Sequence, residues 1–358
     1  MSLGRPSLTV MILTRDEAIH IARCIESVKP VADRIYVIDS GSTDDTVAIA
    51  RRCGAEVLHN DWVNHAAQVN FAIDAMPSET DWIFRIDADE TLPPASASRL
   101  KDTLARMADD AAGIALRRQI IFLGRRIRWG GIEPSWQLRL WRSGQGRCEP
   151  RWMDEHMAVD GRVEKAALEI VDENLNPLDW WTAKHNRYAS LEAIETLAAQ
   201  GHLPPGLLRT ETAAAPGGTR QARMKRWLKE QVYNRLPTGL RSLSYFLYRY
   251  ILRLGFLDGQ AGYYFHLLQG YWYRSLVDAK VREILARAER QGLAVEAAVA
   301  QTTGIDLIVA RQRLTAQADA PRTADGQTTP APQPERLGST PPASRPAPSA
   351  PKTSEVYS

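Results

Sequence analysis

The residues best suited to chemistry are acidic and directly follow apolar runs. Asp87-Ala-Asp89 comes straight after Asp81-Trp-Ile-Phe-Arg-Ile86, so two carboxylates two positions apart lie in a loop at a strand end. Such a pair can converge on one divalent ion, because hard Mg2+ or Mn2+ takes oxygen ligands and also holds phosphate oxygens. An acidic turn or a helix cap is the plain alternative. Asp39 closes a second run, Arg34-Ile-Tyr-Val-Ile-Asp39, and leads into Ser40-Gly-Ser-Thr-Asp-Asp45, residues that equally suit a turn and a capped helix. A third polar cluster, Thr14-Arg-Asp-Glu17, follows Leu8-Thr-Val-Met-Ile-Leu13. Three such clusters at three strand ends say more together than any one of them.

The elements that must position them follow from hydrophobic spacing. Residues 8–13 read as a strand, and Ala18, Ile21, Ala22, Ile25 and Val28 fall at helical spacing behind it. Strands are expected again at 34–39, 56–59 and 81–86, with helices around Val47, Ala48 and Ala50 and over 65–75. Repeated βα units imply an α/β fold with a mostly parallel sheet and helices on both faces. In such sheets ligands bind beyond the carboxyl ends of the strands, where all three clusters sit. Residues 114–121 and 136–141 alternate like strands, with a turn at Gly124, and a helix is expected from 179 to 200. Between Leu243 and Tyr273 lie 11 of the 27 aromatic residues, interrupted by charges as an interfacial segment is. From about residue 316 the chain offers Pro, Ala, Ser and Thr but little to bury, which predicts disorder. The expected organisation is a catalytic domain over 1–178, a helical region over 179–315 and a tail over 316–358.

The 358 residues carry 45 basic and 42 acidic side chains, a net charge of +3. That near-balance argues against a protein that coats nucleic acid, and no nucleic-acid partner is expected. Locally the balance breaks. Nine arginines face two glutamates from Arg117 to Arg151, and eight basic residues face Glu230 from Arg223 to Arg253. Cys24, Cys53 and Cys148 are widely spaced, without a CxxC pair, so neither a disulfide framework nor a zinc cluster is indicated and a reducing cytosol fits. The first residues lack a signal-peptide pattern, and no run is long and apolar enough to span a membrane.

Taken in order, Thr14 to Glu17, Asp39-Ser-Gly-Ser-Thr-Asp44 and Asp87-Ala-Asp89 resemble the family 2 glycosyltransferases over roughly residues 7–160. The resemblance implies the glycosyltransferase A (nucleotide-diphospho-sugar transferase) fold and an inverting sugar transfer. It places Thr14 and Asp39 against nucleobase and ribose, Asp87 against ribose or metal, and Asp89 on the metal, Mg2+ or Mn2+. Glu17 also faces the nucleotide, and Asp16 stands where close relatives often have Asn. Inverting transfer needs one carboxylate to take the acceptor hydroxyl's proton. The segment Trp152-Met-Asp-Glu-His156 resembles the acceptor-side segment of bacterial relatives, which makes Glu155 the base and Asp154 its competitor, with His156 as a neighbouring partner. The arginines of Arg125-Arg-Ile-Arg128 would meet a diphosphate or an anionic acceptor, or form a solvated hairpin. Trp129, Trp136 and Trp141 suit sugar stacking and core packing alike, and Gln137 and Arg139 lie on the acceptor side without an assigned role.

Lys184-His-Asn-Arg-Tyr188, Leu247 to Gly259 and Phe265 to Gly270 look like the C-terminal region of bacterial lipopolysaccharide-core and exopolysaccharide glycosyltransferases. That implies a UDP-sugar donor by preference, a lipid-linked glycan acceptor, and a cytoplasmic enzyme held peripherally at the inner-membrane face. A sugar nucleotidyltransferase would carry a Gly-rich basic loop after the first strand, where Thr14-Arg-Asp-Glu17 stands instead. A noncatalytic membrane or nucleic-acid adaptor would not need Asp39, Asp87, Asp89 and Glu155 intact.

Overall fold

The computed structural model describes residues 6–62, 64–76, 79–148, 157–204, 239–309 and 312. Its first half alternates β1 (Leu8–Thr14), α1 (Ile21–Val28), β2 (Arg34–Asp39), α2 (Thr46–Arg52), β3 (Glu56–His59), α3 (His65–Ala75) and β4 (Trp82–Asp87). These strands pair in parallel in the order β3-β2-β1-β4. Register then sets the site: Thr14 lies opposite Asp39, and Leu13 opposite Asp87, so all three polar clusters emerge from one end of the sheet.

The sheet continues through β8 (Ser135–Arg142), β6 (Ala111–Phe122), β11 (Arg162–Glu173) and the two-residue β5 (Glu90–Thr91). β7 (Arg125–Ile127) pairs with β6 across a hairpin turn in which Leu123 and Gly124 take positive φ of 49° and 71°. The turn expected at Gly124 is therefore present. β8 runs antiparallel to both β4 and β6, while β6 and β11 run with β4, so six of the nine strands share one direction. A separate ribbon joins β9 (Gly146–Cys148) to β10 (Met157–Val159).

Both faces of the sheet are covered, as alternation along the strands requires. Val10, Ile12, Phe84 and Ile86 pack beneath α1 and α4 (Pro94–Ala105). Ile21, Cys24, Ile25 and Val28 form the buried stripe of α1, each of the larger ones contributing about 1.5–3 kcal/mol by burial. Met11, Ile38, Ile83 and Trp141 face α3. Trp141 is fully buried, so of its two roles the structure shows core packing.

The C-terminal part is helical: α5 (Leu178–Ala199), α6 (Leu240–Leu247), α7 (Gly259–His266), α8 (Tyr273–Gln291) and α9 (Val295–Thr303). α5 packs on α8 through Ala189, Ala193, Leu197, Val277, Val281 and Ile284, and Ala298 and Val299 of α9 close this second core. Two π-helical turns, Tyr248–Leu252 and Leu267–Trp272, follow α6 and α7. From Leu240 to Tyr271 twelve large apolar or aromatic side chains are exposed, Leu252 at 73%. No helix among the described residues is long and apolar enough to cross a membrane. The segment expected to be a tail, 316–358, lies outside the described residues.

A clasp joins the helices to the loop between β7 and β8. Buried Asp258 accepts hydrogen bonds from the backbone N–H groups of Arg128 and Trp129 (2.9 Å to the latter), and Gly130 N–H donates to the Arg253 carbonyl at 2.8 Å. The His266 ring lies close against both Gly130 and Gly255. A Cβ at those positions would come within 2.1 and 2.5 Å of it, so only glycine fits.

Candidate active site

Two loops beyond β1 and β2 are laced together. Asp39 is buried and accepts from the N–H groups of Gly41 (2.9 Å) and Ser42 (3.0 Å), from Ser42 Oγ, and from Thr14 Oγ1 at 3.4 Å. It therefore organises its own turn. Asp16 takes a left-handed φ of 55° and accepts from Thr43 N–H at 2.7 Å. Asn and Asp are the side chains that tolerate this backbone and supply the acceptor, which accounts for either residue standing here. Glu17 pairs at 2.6 Å with the fully buried His20, whose other ring nitrogen accepts from Leu175 N–H at 2.8 Å.

The third loop holds a charge network. Arg139, 5% exposed, donates to Asp87 Oδ2 at 2.9 Å and to Glu90 Oε1, while Arg85 donates to Asp87 Oδ1 at 3.1 Å. Glu90 Oε2 accepts from the Asp87 backbone N–H at 3.0 Å. Burial alone would raise the Asp87 pKa, but Arg139 and Arg85 hold it well below the usual carboxylate range. Burial pushes Glu90 up to about 8, with Arg139 opposing and Asp87 reinforcing. Burial and then Asp89 push Asp172 up to about 6. His65 Nε2 accepts from Arg85 at 2.9 Å, and its pKa is lowered to about 4 by burial and by Arg85, so it stays neutral near pH 7.

Asp89 differs from Asp87. Its Oδ2 accepts from Asn174 at 3.1 Å and its carbonyl accepts from Glu173 N–H at 3.2 Å and from Arg23 at 3.1 Å, but among the described residues Oδ1 accepts no hydrogen bond. That open carboxylate oxygen fits a hard divalent ion. Among the described residues no three His, Cys, Asp or Glu side chains cluster to hold a metal, so further ligands would be donor phosphate oxygens and water, the usual habit of Mg2+. Asp87, with both oxygens on guanidinium groups, is better placed to orient a ligand than to bind metal alone.

From β11 the chain turns through Asn174 and Leu175 into α5, tying α5 to both the Glu17 and the Asp89 loops. Trp181 stacks on His185 with centroids 3.5 Å apart and meets Phe122 at 5.9 Å, which fixes the helix. One step round the helix, Lys184 Nζ stands 4.6 Å from the Trp180 ring centroid and 5.9 Å from that of Tyr188. A cavity of about 270 Å³ opens between Arg117, Arg118, Arg126 and Ser135. Each of these arginines already holds a carboxylate: Glu169 at 3.1 Å, Asp172 at 3.5 Å and Glu133 at 2.6 Å. Trp136 lies under Lys165 at 5.3 Å, and Trp129 is 42% exposed.

Thr14, Glu17, Asp39, Asp87 and Asp89 thus converge at one end of the sheet, while Asp154, Glu155 and His156 lie outside the described residues. His20, Asp172 and Asn174 carry no signal of type or spacing in the sequence, while Glu90 stands in the polar cluster after β4 and Lys184 in the Lys184-His-Asn-Arg-Tyr188 segment, neither with a role of its own there, like Arg139. For Lys184 a signal existed: Trp180, Lys184 and Tyr188 recur at i, i+4 and i+8, one stripe of a helix.

The sequence profile of Glycosyl transferase family 2 matches residues 9–157. The lipopolysaccharide core biosynthesis glycosyltransferase LpsC of Rhizobium meliloti is 30% identical over 194 residues, 52% of this chain and 70% of that protein. The succinoglycan biosynthesis protein ExoA of the same organism is 37% identical over 117 residues, 30% of this chain and 36% of that one. An uncharacterized glycosyltransferase of Rickettsia felis is 47% identical over 85 residues, 24% of this chain and 29% of its own length. In this last comparison the chain spans less than a third of its relative.

Proposed function

This chain belongs to glycosyl transferase family 2, and on that premise we propose that it moves a sugar from a nucleotide-diphospho-sugar, UDP-linked by preference, to a lipid-linked glycan, inverting the anomeric centre. Its fold is the glycosyltransferase A fold, and it is related to enzymes of lipopolysaccharide-core and succinoglycan biosynthesis. One observation carries the reading: Asp39, Asp87 and Asp89 emerge together at the strand ends, with Asp89 Oδ1 accepting no hydrogen bond from the described residues.

In this reading the rigid Asp39 turn and the Arg-braced Asp87 fix the nucleoside end of the donor. Glu155, with Asp154 as its competitor, takes the proton from the acceptor hydroxyl. The acceptor oxygen bonds to the anomeric carbon as the bond from that carbon to the diphosphate oxygen breaks, and the diphosphate leaves with the electron pair. A divalent ion, Mg2+ or Mn2+, held by Asp89 beside Asp87 would supply positive charge at that leaving group. Lipopolysaccharide-core or exopolysaccharide assembly at the cytoplasmic face of the inner membrane is the matching setting. Twelve exposed apolar or aromatic residues from Leu240 to Tyr271 support peripheral docking there.

A donor screen by nucleotide release tests the proposal. Metal-dependent turnover of a nucleotide sugar with a lipid-linked acceptor, lost in Asp89→Ala, is expected; no turnover with any donor, or unchanged turnover in that variant, sinks it. Docking is tested separately by sedimentation with anionic phospholipid vesicles, where Leu252→Glu should weaken binding.

A further inference from the structure

The geometry points to Lys184 as the cation that grips the donor's diphosphate and meets the charge it carries away. This rests on the transfer reading above. Lys184 is two turns into α5, and the start of α5 is pinned to the donor loops by Asn174 on Asp89 and by Leu175 on His20. Its ammonium is held over Trp180 at 4.6 Å, with Tyr188 at 5.9 Å on the next turn, and it makes no ion pair with another described residue. The ammonium is thus steadied by rings, with no carboxylate of the described residues paired to it.

Three carboxylates, Asp89 and Asp87 after β4 and Glu17 after β1, act on this ammonium from the loops where the donor is expected. Together with Tyr188 they outweigh the effect of burial and raise its pKa, so it stays protonated. A cation placed this way balances acidic groups that would otherwise repel a diphosphate. In the transfer step the acceptor's proton goes to the base carboxylate and the electron pair of the breaking bond goes to the diphosphate oxygen. Lys184 donates hydrogen bonds to that oxyanion and gives up no proton.

The test compares nucleotides with their nucleosides on the full chain in the presence of Mn2+. Calorimetry with UDP and GDP, set against uridine and guanosine, is run on the wild type, Lys184→Met, which keeps the apolar stem over Trp180, and Lys184→Arg, which keeps the charge. Thermal melts establish that each variant is folded. The expected result is a tenfold or greater loss of nucleoside diphosphate affinity in Lys184→Met, nucleoside affinity within twofold of wild type, and recovery of most of the loss in Lys184→Arg. Diphosphate affinity unchanged in Lys184→Met overturns the role of Lys184 alone. So does a parallel loss for nucleoside and diphosphate, which would mark a residue that only shapes the pocket. A wild type that binds neither UDP nor GDP overturns the transfer reading along with it.

Discussion

Replacing Arg139 with Met removes a buried guanidinium and keeps most of its stem. Two charge-assisted hydrogen bonds disappear, to Asp87 at 2.9 Å and to Glu90, each worth about 1.5–3 kcal/mol net. Breaking a buried pair by removing one partner costs about 3–5 kcal/mol, because a charge is stranded. Two features reduce the penalty here. Arg85 still donates to Asp87 Oδ1 at 3.1 Å, and Glu90, already pushed up to about 8, can hold a proton through neutrality. The expected loss is therefore near the lower end, about 3 kcal/mol at pH 7, or roughly 6–12 °C in Tm. Urea unfolding followed by tryptophan fluorescence measures it. In the Glu90→Gln background the same replacement should cost at least about 1 kcal/mol less, since the two residues are in contact. A loss below about 1 kcal/mol, or an equal loss in both backgrounds, would refute the network as the source of the stability.

Glu90→Gln carries its own pH signature. Because the folded chain holds the Glu90 proton up to about 8, well above an ordinary Glu, the native state binds more protons across the interval between those values. Wild-type stability must then fall as pH rises through that interval, by at most about 1.4 kcal/mol per pH unit. The variant should equal wild type near pH 4 and outlast it increasingly toward pH 8; parallel unfolding profiles from pH 5 to 8 would count against this. Gly130→Ala should destabilise by about 2–4 kcal/mol, combining a strained positive φ with overpacking. Gly130 sits at φ 72°, and the new Cβ would lie 2.1 Å from the His266 ring. His266→Ala in the same chain should return part of that loss in a thermal melt.

Much of the donor half was legible because strand and helix periods are local properties. The stretches expected at 34–39, 56–59 and 65–75 are β2, β3 and α3, and the strand-end positions of Thr14, Asp39 and Asp87 follow from them. Long-range pairing hid the rest. β11 is rich in Ala, Glu and Lys, which favour helix, yet it lies between β6 and β5 because its sheet neighbours decide its conformation. Glu90 reads as one more exposed acid in an acidic run, and only the arrival of Arg139 from β8, 49 residues on, explains a carboxylate that is 1% exposed. The open oxygen of Asp89 was equally hidden, since its partner Asn174 is 85 residues away.

The clasp built on Asp258, Arg253 and His266 bears on how such chains diversify. The described side chains bonded to Asp39, Asp87 and Asp89 all precede Leu178, whereas twelve exposed apolar or aromatic residues fall between Leu240 and Tyr271. The two stretches are joined by a fastening of three residues onto backbone groups of one loop and two glycines. A lineage that keeps the fastening can rewrite the outward faces of α6 and α7 freely. On the proposed reading, such a change would alter the surface the protein docks to and leave its reaction in place.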